Sequence, residues 1–455
     1  MLTKPRRQLP LALATRILVV ALVSACSSTI VTNAGLPDEN HSSGGSGAGG
    51  ESQAASGSTA LAEAGQGSGG ALSTITTTEQ ACGFPLRCTS GSFAGTRNCG
   101  NSSNPCVPLL VSCATHSCVV GSTGIVECWG HGGYGEIGDG NLASRTKPAT
   151  VLNLSSVVHI AAGGAHTCAV TSDKSVHCWG QNDQGQVGDG TLVNASLPKA
   201  VPSITNAVAV AAGDSHSCAL LDDGTARCWG ANGSGQLGNG SVTSSTSPVT
   251  VSELSSAVEL EAGATHTCAV LSSGGIRCWG DNAGGQLGNA TSANSPTVVI
   301  PISSDSTEWA SIAAGGADTC SVSSQGGVAC WGANGNGQLG LGSSTSRNVP
   351  TVITSLNDAQ LVRAGDSHVC VLEAGSMARC WGFNNYGQLG DGTTTNRSSP
   401  VSVTGISDIR AISPGKIHTC AVSGTSTVLC FGYNGSGQLG VGTTTNSLVP
   451  VVVAL

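Results

Sequence analysis

The sequence predicts an all-β fold, a seven-bladed β-propeller built from repeats of about 50 residues. Three observations lead there. First, cysteines recur at Cys128, Cys178, Cys228, Cys278, Cys330, Cys380 and Cys430, with six steps each close to 50 residues, and a fixed period of this size marks a repeat architecture. Second, each has a partner ten positions earlier, at Cys118, Cys168, Cys218, Cys268, Cys320, Cys370 and Cys420, and each is followed by Trp or, at Phe431, by Phe. Third, one period divides into four short runs. In residues 201–250 these are "SITNAVAVAAG", "HSCALLD", "GTARCWG" and "SPVTVS", rich in Val, Ala and Thr and bounded by Asp-Gly, Asn-Gly and Pro. No stretch of 113–455 carries an apolar face of helical period beyond two turns. Four short strands per period, seven times over, is the pattern of a propeller.

The elements before the repeats follow from composition. Lys4, Arg6, Arg7 and Arg16 precede the apolar run Ile17–Val23, which is too short to span a bilayer and has the form of a signal sequence. The run ends in "VSAC", which resembles the bacterial lipobox. Residues 1–25 are therefore expected to be a lipoprotein signal peptide, and Cys26 the lipid-modified first residue of a protein anchored in the cell envelope, at a bacterial outer membrane or surface. The residues flanking Arg6-Arg7 do not support a twin-arginine signal. Residues 26–81, rich in Gly and Ser and poor in apolar side chains, read as a flexible tether with a reach of roughly 40 Å. Residues 82–112 form a Cys-rich segment expected to cap the propeller edge. With Cys113 they hold five cysteines (Cys82, Cys88, Cys99, Cys106, Cys113), from which two disulfides leave one thiol over, the pairing being open. The propeller is assigned to 113–455.

Hairpin parity explains the cysteines. A turn centred on Asp223 sets Cys218 opposite Cys228, Leu220 opposite Ala226 and Ser217 opposite Trp229. Directly opposed Cβ atoms lie about 4.5–5.5 Å apart, within reach of a disulfide after local twist. Side chains alternate, so cystine and Trp occupy opposite faces; adjacent blades are expected to pack a cystine face against a Trp face. The runs "AVAVAAG", "SVVHIAAG" and "WASIAAG" hold mostly small residues, which suits strands converging on an axis. Seven disulfides imply an oxidising compartment. Zinc is the rival, but C-x₉-C lacks the close C-x₂-C pairing and successive pairs fall on different blades. Each cystine closes about 11 residues, contributing roughly 2–3 kcal/mol on the chain-entropy model.

"AAGDSHSCALLDDGTARCWGANGSGQLGNG" (Ala211–Gly240) resembles the regulator of chromosome condensation repeat, in its A-G-x-x-H start, D-G turn, W-G-x-N and G-Q-L-G loop. The match recurs over 113–455. The resemblance implies a seven-bladed propeller sealed by a strand from the opposite terminus. The first repeat lacks opening strands and Pro450–Leu455 looks surplus, so terminal closure is expected. Departures are the paired cysteines, Phe431 in place of Trp and Asp318 in place of His.

Candidate sites are weighed residue by residue. His116, His166, His216, His266, His368 and His418 share one repeat position, with Asp318 there in the remaining, fifth copy. A ring of imidazoles suggests metal, but recurrence in every repeat points to folding, each His bonding its own loop. "DDGTARCW" echoes a sialidase Asp-box, yet its Gly-to-Trp spacing is two residues too long, which leaves a hairpin turn. Tyr134, Tyr386 and Tyr433 sit beside glycines in repeat loops and read as structural. "GDG" at 138–140 and 188–190 lacks the spaced oxygens of a calcium loop, and "NGS" at Asn232 and Asn434 reads as turn chemistry rather than a glycosylation acceptor.

The namesake of the resemblance exchanges guanine nucleotides on a small GTPase and binds chromatin. Four of the 18 Lys and Arg lie in the signal, so 14 face 26 Asp and Glu in the mature chain, and an acidic protein lacks the footprint of a nucleic-acid binder. Some exported bacterial members of the family are protein-binding inhibitors, for example of β-lactamase. The segments Asn141–Pro148, Thr191–Pro198, Thr291–Pro296 and Thr393–Pro400 vary while the scaffold repeats, and variable loops on a rigid scaffold carry binding. The expectation is a monomeric, non-catalytic scaffold for a protein or glycan partner, held to the membrane only by lipid, with no metal, cofactor or nucleic acid. Nucleotide exchange and glycan hydrolysis are the alternatives.

Overall fold

The computed structural model describes residues 109–112, 114–302 and 307–455. The signal, the tether, Cys26 and the five cysteines from Cys82 to Cys113 lie outside them. Among the described residues twenty-eight strands, β1 to β28 in chain order, form seven four-stranded antiparallel sheets, each built from four consecutive strands. The first blade is β1 (Leu109–Ser112), β2 (His116–Val120), β3 (Val126–Gly130) and β4 (Arg145–Thr150); the last is β25 (Ile409–Pro414), β26 (His418–Ser423), β27 (Val428–Gly432) and β28 (Ser447–Val452).

The hairpin parity appears in the register. In the third blade Ser217 opposes Trp229, Cys218 opposes Cys228 and Leu220 opposes Ala226. All seven such pairs are disulfides with Cα atoms 4.0–4.1 Å apart. Alternation then sends the cystine to one blade face and the indole to the other, and neighbouring blades meet as expected. Cys218, Leu220 and Cys228 of the third blade share one apolar core with Leu260, Ala269 and Trp279 of the fourth. Cys420, Val422 and Cys430 of the seventh share another with Leu110, Val119 and Trp129 of the first. Phe431 fills the Trp place against Cys370 and Cys380. Every one of these ring side chains is fully buried, so the core is a set of flat layers between blades, which is how 3% aromatics suffices.

The glycine after each Trp is required by geometry. Gly230 has φ 102°, in the left-handed region that side chains rarely adopt, and a Cβ there would stand 2.5 Å from the Ser215 carbonyl oxygen.

Two expectations are corrected. The propeller begins at Leu109, because β1 supplies the first blade with the innermost strand that the sequence reading gave to the Cys-rich segment. Terminal closure does not occur. Residues 447–452 form the outermost strand of the seventh blade, paired to β27 as β4 pairs to β3. Blades seven and one are instead joined by side chains: the Trp129 indole donates to the Gln438 carbonyl at 2.8 Å and Ser112 N donates to Ser413 Oγ at 2.8 Å. The innermost strands are also less uniformly small than expected. Glu259, Glu261 and Arg363 stand in them, together with His159.

Candidate binding face

Each blade presents two connections at the same end: the turn between its first and second strands, at the axis, and the long loop after the Trp-Gly pair. They are laced together. Ala231 N donates to Ser215 O at 2.8 Å, and the same bond joins Phe383 to Ser367 and Tyr433 to Ile417. The long loop is rigid because a buried asparagine holds it from inside. Asn232 Nδ2 donates to the carbonyls of Ser241 and Thr243 at 2.9 and 3.0 Å, while its Oδ1 accepts from Leu237 N at 2.9 Å. Asn434 repeats this. Both are fully buried, so the two "NGS" sites are turn chemistry.

Behind the loops runs a belt of stitches between blades. His216 Nε2 bonds Thr267 Oγ1 of the next blade at 2.9 Å, and Thr267 Oγ1 donates to Gln236 O at 3.0 Å. Since the hydroxyl proton goes to the carbonyl, the imidazole is the donor and its Nδ1 carries no proton. Six histidines do this, the last of them, His418, bonding Ser117 of the first blade at 2.7 Å. The histidines therefore fold the protein, as expected, but by bonding the next blade rather than their own loop. Burial, aided at several positions by neighbouring imidazoles, lowers them to about 3, and His266 to about 4. Asp318 breaks the belt, and the next blade has Val369 where the others have Ser or Thr. Burial, then the Asp366 carboxylate, raises Asp318 well above its ordinary carboxylate value.

On this face the innermost turns ring a cavity of about 90 Å³, whose polar side chains include Ser112, Asp214, Asp366 and Lys416. Deeper, Glu259 accepts from Ser311 Oγ and Ile312 N, both at 3.2 Å. Burial, partly offset by Arg363, raises Glu259 to about 8 and Glu261 to about 7. Sequence reading missed this group. Its only signal is the departure of "VELEA" from the small-residue run. Among the described residues no set of three or more His, Cys, Asp or Glu side chains is placed to hold a metal.

The tyrosines are corrected from structural filler to surface. The residue after Trp-Gly and the residue three further on alternate around the face, and in blades six, seven and one they are Phe383, Tyr386, Tyr433, Ser436, His131 and Tyr134. Phe383 and Tyr386 have centroids 6.2 Å apart, edge to face; Tyr386 meets Tyr433 across the blade junction at 4.9 Å; His131 lies 5.8 Å from Tyr134. None of these rings is buried, and Tyr134 is 41% exposed. All three tyrosines of the chain thus share one arc. The first blade has Gly132 where the holding asparagine would stand. The buried Glu136 stands at the position of the glutamine of the other loops and accepts from Tyr134 N at 2.9 Å, as Gln236 Oε1 accepts from Ser234 N at 3.0 Å, and it pairs with His131. The repeat position was legible in the sequence; that it points outward was not.

The sialidase-like octapeptide lies at the opposite end, where Asp223 Oδ1 accepts from Thr225 N and Oγ1 in a hairpin turn. Asp139, in the first "GDG", is ion-paired to Arg145, and Asp189, in the second, accepts from Thr191 N and Oγ1.

Comparison with known proteins agrees with this geometry. The model of the RCC1-like domain matches residues 125–455, most of the chain. The chain belongs to the RCC1-like domain family. Among solved structures this RCC1-like propeller is similar to human WBSCR16, with a TM-score of 0.67 and 21% identity over 73% of this chain and 94% of that one. It is also similar to Prp20p from Saccharomyces cerevisiae, with a TM-score of 0.66 and 21% identity over 74% of this chain and 87% of that one, a structure described with its binding properties to Gsp1p and histones. At such identities the likeness concerns the fold. A search of curated protein sequences found no match.

Proposed function

We propose that this RCC1-like protein is an exported, lipid-anchored, non-catalytic scaffold that binds a protein or glycan through the loop face. The aromatic arc carries this reading. Phe383, Tyr386, Tyr433 and Tyr134 are large, partly exposed rings on loops pinned by buried Asn and Glu, and rigid aromatic side chains give binding area at low entropic cost. The lipobox-like "VSAC" supports export and anchoring at Cys26, and seven buried disulfides suit an oxidising compartment. An excess of 26 Asp and Glu over 18 Lys and Arg argues against nucleic acid.

The test is capture of envelope components by the full chain and by a Tyr386→Ala, Tyr433→Ala variant of matched stability. A component retained by the native protein and lost by the variant supports the reading; identical captures by both overturn it. Nucleotide exchange is the second reading, favoured by the fold shared with Prp20p, and accelerated release of labelled GDP from a small GTPase is its assay.

A further inference from the structure

The charges of the loop face are divided as sharply as its rings. The loops of blades two to four carry Asp183, Asp189, Asp214 and Asp281 and no lysine or arginine. On blades five to seven and one the face carries Arg347, Arg397, Lys416 and Arg145, and the carboxylates of Asp139, Asp366 and Asp391 there are ion-paired. Asp139 pairs with Arg145 at 2.5 Å, Asp391 with Arg397 at 2.9 Å, and Asp366 with Lys416 at 3.8 Å. The aromatic arc falls in this second half. The acidic half also has an apolar rim: Leu192 and Val242, 58% and 59% exposed, share one loop position in adjacent blades, Val193 beside Leu192 is 71% exposed, and Leu142 continues the rim at the same position of the first blade, 64% exposed.

From this division we infer that the loop face seats a protein whose docking surface is basic on one side and apolar on the other, with lysines or arginines over blades two to four and an apolar side chain on the arc. The inference rests on the function proposed above and adds the chemistry of the partner. Charge complementarity selects it. Asp183, Asp189 and Asp281, with no cation in their own loops, and Asp214, which feels Lys416 across the axial cavity, set up a net negative field on this half, which attracts a basic surface and repels an acidic one. On the other half the ion pairs satisfy the charges locally, and the exposed rings supply the attraction. An uncharged glycan would gain nothing from the first half, and a uniformly basic ligand nothing from the second.

The probe is a synthetic peptide of six lysines followed by Phe-Leu, beside its charge inverse with six glutamates, titrated at low salt against the full chain. The lysine peptide is expected to bind and the glutamate peptide not. Asp183→Lys with Asp214→Lys should weaken binding about tenfold, and Tyr433→Ala should weaken it further. Glu253→Lys, at the opposite end, should change it less than about twofold. Equal weakening by Glu253→Lys, tighter binding of the glutamate peptide, or no binding of either overturns the inference. If the inference fails while Tyr386→Ala, Tyr433→Ala still abolishes capture from the envelope, the scaffold reading survives alone.

Discussion

The Trp129 indole N–H donates to the Gln438 carbonyl oxygen across the gap between the first and last blades, at 2.8 Å. The same bond joins Trp179 to Glu136 and Trp229 to Gln186, both at 2.9 Å, so the closing junction is chemically one more copy of the others. No strand has to be borrowed from the other terminus. Trp129→Phe should cost about 1–2 kcal/mol by denaturant unfolding, and Phe431→Trp, which offers a new donor to the Gln388 carbonyl, should recover about 1 kcal/mol. A Trp129→Phe protein as stable as the native one would contradict this.

Asp318 and Val369 stand where six other junctions have histidine and hydroxyl. Asp318→His alone buries an imidazole without its hydroxyl partner, and Val369→Thr alone gains only the bond to the Gln338 carbonyl that the other hydroxyls make, so neither single change rebuilds the stitch. Together they rebuild the stitch, and a double-mutant cycle should show coupling of about 1 kcal/mol or more. Strict additivity would show that the belt bonds do not act across the junction.

Stability should depend on pH from both sides. The six belt histidines are held at about 3 to 4 in the folded protein, below their ordinary 6.5, so their contribution is complete above 6.5 and is lost as pH falls toward 3. Glu259 runs the other way. Raised to about 8 from 4.5, it favours folding most below 4.5 and loses that contribution as pH rises through 8. A melting-temperature profile should fall steeply below pH 6 and more gently above 7, and Glu259→Gln should flatten only the alkaline limb. A profile flat from pH 4 to 9 would contradict the belt assignment.

Cys26→Ser should release the protein from membranes without lowering the melting temperature of the propeller, since Cys26 stands far ahead in sequence of Leu109, where the first described strand begins. Fractionation decides: a variant that stays membrane-bound contradicts lipid anchoring.

The fold was largely legible because a propeller repeats one solution. Cys218 opposite Cys228 follows from counting residues out from Asp223, and counting works wherever a two-stranded turn is short. Closure was misread because the sequence shows where strands lie but not where the first repeat begins; Leu109–Ser112 has no A-G motif after it, Cys113 taking the glycine's place. The histidine position was visible, its partner was not, since a bond 51 residues away, as from His216 to Thr267, needs the blade spacing in three dimensions. The aromatic arc escaped for a related reason. Tyr386 and Tyr433 are 47 residues apart in sequence and 4.9 Å apart in space.

The most direct measurement is backbone amide exchange of the full protein with and without its captured partner. Protection concentrated in residues 131–134, 383–386, 415–417 and 433–436 is the predicted result. Protection at the hairpin turns of the opposite end, residues 121–125, 172–175 and 222–225, with the loop face unchanged, would contradict the account.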